Sequence, residues 1–112
     1  MKLSIELDTL KNKKFRKIVK YIPDLFELTY MSLKPKEEIG MEIHPTTVQF
    51  IRIESGKGKA ILRPKNSTRA TIHYFKEGDA VIIPNNTYHN VINTSKTKHL
   101  KLYSIYSRPA HK

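Results

Sequence analysis

From Phe26 onward the chain is cut by turn residues into short apolar or alternating runs, and this rhythm narrows its possible folds more than any other feature. The runs are "FELTYMSLKP", "MEIHP", "VQFIRIES", "GKAILRP", "ATIHYF", "DAVIIPNN", "HNVINT" and "LKLYSIYSRP". Each has the length of a β-strand and is rich in Ile, Val, Tyr, Phe and Thr, residues that suit a pleated, half-buried surface. The breaks between them hold Pro35, Gly40, Pro45, Gly56, Gly58, Pro64, Gly78, Pro84 and Asn85-Asn86, the residue types that turns select. An all-β sandwich or barrel is expected.

At 112 residues the chain has room for one domain with a single core. Residues 1–25 read differently from the rest. Their apolar positions Leu10, Phe15, Ile18, Val19 and Ile22 make a weak helical or mixed pattern that stops at Pro23. They are expected to form a short N-terminal arm, or a swapped strand, packed on a barrel of residues 26–112. The stretch 63–72, "RPKNSTRATI", is the most loop-like region between strands.

Composition removes several function classes. There is no cysteine, so disulfides, thiolate metal sites and thiol nucleophiles are excluded and any metal must be held by His, carboxylate or amide groups. No run approaches the ~20 apolar residues of a membrane span, and the chain is expected to be soluble and cytoplasmic. No G-x-S-x-G, P-loop or G-x-G-x-x-G pattern occurs. The formal charge is +11, from 21 Lys and Arg against 10 Asp and Glu. Those cations are scattered except in "KNKKFRKIVK", residues 11–20, which reads as a solvated face, and nucleic acid is not an expected partner.

A polar constellation stands out against this background. Alternate residues of a strand share a face, which puts Glu42 and His44 on one side and Met41 and Ile43 on the other. In "VQFIRIES", Gln49 goes with Ile51 and Ile53, so its amide needs a buried partner. After the turn "PNNTY", His89 shares a face with Val91 and Asn93. The four donors Glu42, His44, Gln49 and His89 can thus line one cavity.

Their spacing reproduces two motifs of the cupin family. The first runs Gly, five residues, His, one, His, four, Glu, six, Gly; here it reads Lys36, Glu42, His44, Gln49 and Gly56 with every interval kept. The second runs Gly, five, Pro, one, Gly, two, His, three, Asn; here it reads Gly78, Pro84, Asn86, His89 and Asn93, again with every interval kept. The chain therefore resembles the small single-domain cupins of the cupin-2, RmlC-like type, some labelled mannose-6-phosphate-isomerase-like, with motif 1 at 36–56 and motif 2 at 78–93. The resemblance implies a double-stranded β-helix, or jelly roll, with a metal inside.

The departures from the family are in residue identity. Lys36 and Asn86 stand at glycine positions, and Asn is the best substitute for Gly where φ must be positive. Glu42 replaces a His and Gln49 replaces the Glu, leaving a 2-His-1-carboxylate set of Glu42, His44 and His89, an arrangement suited to a divalent metal with open positions. The resemblance leaves Fe, Mn, Zn and Ni open. Gln49 is either a fourth ligand or a partner of metal-bound water, and a metal-free polar network is the alternative to all of this. The expected function is that of an enzyme acting on a small molecule inside the barrel, either isomerase- or epimerase-like or Fe-dependent dioxygenase-like. The competing expectation is a non-catalytic small-molecule or anion sensor. His73, His99 and His111 are expected at the surface, Tyr88 is expected to pack away from the cavity, and a homodimer is expected to cover edges left by the N-terminal arm and the C-terminal "KLYSIYSRP" strand.

Overall fold

The computed structural model describes residues 4–109. A short 3-10 turn, Thr9–Lys11, precedes β1 (Arg16–Ile22), β2 (Phe26–Leu33), β3 (Gln49–Ser55), β4 (Lys57–Pro64), β5 (Thr71–Lys76), β6 (Ala80–Ile83), β7 (Thr87–Asn93) and β8 (Leu100–Tyr106). All pairings are antiparallel, in a five-stranded sheet ordered β1-β2-β8-β3-β6 and a three-stranded sheet ordered β5-β4-β7. The two sheets enclose the core as a jelly roll.

Alternation decides which side chains point inward. On β3, Gln49, Ile51 and Ile53 are buried while Phe50, Arg52 and Glu54 are only partly covered; on β8 the buried set is Leu100, Leu102, Ser104 and Tyr106. β2 breaks the pattern, being buried from Glu27 to Leu33. Its outer face is covered by the segment before β1: the Asp8 N–H donates to the Tyr30 hydroxyl at 2.7 Å, and the Ser32 N–H donates to the Lys14 carbonyl at 3.1 Å. Both faces of this strand are thus kept from water.

Register makes the interior a gradient. One row across the large sheet is Met31, Leu102 and Ile53, all apolar and almost completely buried; another row is Glu27, Tyr106 and Gln49. One end of the barrel is therefore a packed hydrophobic core and the other carries hydroxyl, amide and carboxyl groups that need hydrogen-bond partners.

Three expectations change. The "MEIHP" run forms no strand: Gly40, at φ +102°, and Pro45 interrupt it, and only the bridges Glu38–Ile92 and Glu42–His89 pair. β8 is not an edge, since it lies between β2 and β3, as its buried alternate residues require. Within residues 1–25 the helical pattern gives way to β1, an edge strand that turns back onto β2 through Asp24 at φ +63°. Its β-branched Ile18 and Val19 favour extended backbone over helix.

The two positions that lack the family's glycines nonetheless keep a glycine-like backbone, with Lys36 at φ +66° and Asn86 at φ +54°. Gly56 shows where glycine is required: at φ +96° in the β3–β4 turn, a Cβ there would stand 2.7 Å from the His99 carbonyl oxygen. No helix among the described residues is long and apolar enough to cross a membrane.

Candidate metal centre

Residues 37–44 lie along the free edge of β7 as an irregular strip. The Asn93 N–H donates to the Glu37 carbonyl and the Ile39 N–H to the Val91 carbonyl, each at 2.9 Å. Glu42 and His89 then exchange both backbone hydrogen bonds, also at 2.9 Å. Partners in such a pair project their side chains to the same face, so the Glu42 carboxylate and the His89 imidazole are set side by side by backbone geometry alone. His44 follows two residues on, where the Asn86 N–H holds its carbonyl at 3.0 Å. The left-handed turn at Asn86 therefore fixes the place of a histidine 42 positions earlier in the chain.

Asn93, fully buried, fastens the far end of the strip. Its Nδ2 donates to the carbonyls of Leu33, Lys34 and Lys98 at 3.2, 3.0 and 2.9 Å, and its Oδ1 accepts from the Ser95 N–H at 3.0 Å.

One ligand atom from each of Glu42, His44 and His89 falls within 4.8 Å of the other two. Donors at about 2.1 Å from a common ion stand at most about 4.2 Å apart, so a slight inward shift of the side chains completes the set. His89 is 4% exposed, and its Nδ1 lies 2.9 Å from the Thr87 carbonyl oxygen. A carbonyl only accepts, so Nδ1 carries the proton and Nε2 keeps its lone pair for a metal. His44 Nε2 lies 3.9 Å from Glu42 Oε2, and the two imidazole centroids are 5.1 Å apart.

Gln49 reaches this site through Tyr106. Its Nε2 donates to the Ser104 hydroxyl at 3.1 Å and to the Tyr106 hydroxyl at 3.2 Å, which supplies the partner its burial demanded. Its Oε1, also buried, has no hydrogen-bond partner. The Tyr106 ring meets His44 edge-on at 6.2 Å between centroids. An amide oxygen buried without a donor fits an electropositive group nearby.

Sequence reasoning missed four residues around this cluster. Burial drives the Tyr106 phenol well above its ordinary pKa; Glu27 and Glu42 add to the rise, and the Ser104 hydrogen bond and Arg16 oppose it. Tyr106 and Ser104 were legible from the alternation of "LKLYSIY". Glu27, completely buried, accepts from the Thr29 hydroxyl at 2.5 Å, and a lone Glu opening an apolar run was the available sign. Arg16 reaches in from β1, its Nη2 3.7 Å from Glu42 Oε1, and nothing in a Lys-rich run separates it from its neighbours.

The remaining expectations fall outside this cluster. His73 and His99 are exposed. His73 shares the core-facing side of β5 with Phe75 and bonds to the Thr71 hydroxyl at 2.8 Å, where the sheet edges open. His111 lies outside the described residues. Tyr88 carries the Arg63 guanidinium 4.4 Å above its ring, and Arg52 pairs loosely with Glu54 at 4.0 Å.

A jelly roll with histidine and carboxylate groups converging at one end of its interior is a small β-barrel with a candidate metal site. The cupin domain family matches residues 29–106, and the chain belongs to it. It is 42% identical over 109 residues to the uncharacterized protein L612 of Acanthamoeba polyphaga mimivirus and 39% identical over 109 residues to the uncharacterized protein YrkC of Bacillus subtilis. The matches take in 97% of this chain but only 66% and 58% of those relatives' own lengths. The crystal structure of BH2720 from Bacillus halodurans superposes with a TM-score of 0.85 at 37% identity, covering 94% of this chain and 78% of that one.

Proposed function

We propose that the protein binds a divalent transition metal through Glu42, His44 and His89, with Gln49 beside it, and acts on a small organic molecule held inside the barrel. The observation that carries this reading is the convergence of the three donor atoms within 4.8 Å, with the His89 tautomer fixed by Thr87. A metal there would supply Lewis acidity or redox chemistry at its open coordination positions.

The chain's own contribution is orientation and desolvation. Ser104 and Tyr106 hold the Gln49 amide, Thr87 holds the His89 ring, and the backbone bridge holds Glu42 against His89. Tyr106 keeps its proton across ordinary pH while its hydroxyl accepts from the Gln49 amide. The reaction is either dioxygenase-like or isomerase- or epimerase-like, and the latter requires a base at the reacting carbon. The second reading, a non-catalytic anion-binding cupin, is favoured by the net charge of +11. We also propose a homodimer, supported by the exposed Ile72 and Tyr74 on edge strand β5 and Ile82 on edge strand β6.

Elemental mass spectrometry of untagged protein tests the metal reading. Near-stoichiometric metal is expected in the wild type, with a loss of at least about tenfold in His44→Ala and His89→Ala. Gln49→Ala separates ligation, which would lower the content, from a supporting role, which would not. No metal in the wild type after reconstitution would refute the reading.

A further inference from the structure

We propose that Arg16 is a specificity-determining residue that receives the carboxylate of a small organic acid bound at the metal centre. The proposal rests on the metal reading above and names the substrate class that reading leaves open.

Arg16 lies on β1 in register with Met31, whose side chain is completely buried in the core, so its own side chain starts out toward the barrel interior. It crosses from the edge of the large sheet to the 37–44 strip of the other and ends 3.7 Å from Glu42 Oε1. That separation is too long for a direct hydrogen bond. The guanidinium therefore feels the Glu42 charge without being used up by it. Its Nε is buried and has no hydrogen-bond partner. A buried charged donor left unsatisfied is costly, and among the described residues no hydrogen-bond acceptor meets this Nε, while the guanidinium carbon lies 5.7 Å from the Phe15 ring centroid.

The chemistry of the surroundings selects what would. A guanidinium beside a metal site is unfavourable by like-charge repulsion unless enough negative charge offsets the two, and Glu42 supplies part of it. Even with Glu42 and Glu27 both ionised, Arg16 and a divalent ion leave one positive charge over. A monoanion balances that charge. The planar fork of Arg matches a carboxylate through two parallel N–H donors, whereas a phosphate dianion would call for a further cation.

The test uses three acid and amide pairs, acetate with acetamide, lactate with lactamide and benzoate with benzamide, titrated calorimetrically into metal-loaded wild type, Arg16→Gln and Arg16→Lys. Metal content and melting temperature are read on the same samples. At least one acid should bind the wild type ten or more times tighter than its amide. Arg16→Gln should lose that preference with metal content and melting temperature kept, and Arg16→Lys should retain part of it, having the charge without the fork. Equal binding of acid and amide in all three pairs would overturn the proposal while leaving a metal-loaded wild type intact, and so would an undiminished preference in Arg16→Gln. A wild type that takes up no metal but still prefers acids would refute the metal reading and spare Arg16.

Discussion

Tyr106 shows how a single buried side chain ties stability to pH. Its folded-state pKa is raised above the ordinary value of about 10 because burial disfavours the phenolate. Between the two values the folded form holds a proton that the unfolded chain releases, so stability falls as pH rises above about 10 and is fully present below it. Thermal melting from pH 8 upward should show this alkaline decline in the wild type and a shallower one in Tyr106→Phe; matching profiles would mean that other groups cause it. At this scale the convergence of Glu42, His44 and His89 was legible because each lies on an interval that alternation or a motif fixes. Arg16 and Glu27 were not, since their positions follow from how separate strands meet in space.

Among the elements, the strip at 37–44 matters more than any strand. It was read as a strand because "MEIHP" alternates, and its side-chain directions came out as expected even though its backbone pairs only at two bridges. The bridge at Glu42 preserves the alternation locally, which is why an incorrect element still gave the correct facing of Glu42 and His44. β8 was misjudged for a different reason: its own alternation shows that one face is buried but carries no information about whether both edges are paired. Asn93 binds the strip, the end of β2 and the β7–β8 connection together. Asn93→Ala leaves three carbonyls without their donor and should cost about 2–4 kcal/mol, seen as a lower urea midpoint. A cost under about 0.5 kcal/mol would show that water replaces the amide without loss.

For the molecule as a whole, the jelly roll was legible from recurring strand-length runs and from two motifs of unbroken spacing, and the strand order was not, because runs in sequence do not say which edges pair. The same topology leaves β5 and β6 as edges with Ile72, Tyr74 and Ile82 facing solvent. A dimer should sediment at micromolar concentration, and Tyr74→Glu together with Ile82→Lys should shift it to monomer; a wild-type monomer would remove the dimer from consideration. The placement of β1 has a further consequence. The candidate metal donors Glu42, His44 and His89 lie inside the stretch that the cupin family matches, residues 29–106, while the guanidinium beside Glu42 lies ahead of it at Arg16. The candidate site and the proposed selector thus lie on different stretches of chain, so exchanging the β1 hairpin would alter the proposed selector while leaving Glu42, His44 and His89 in place.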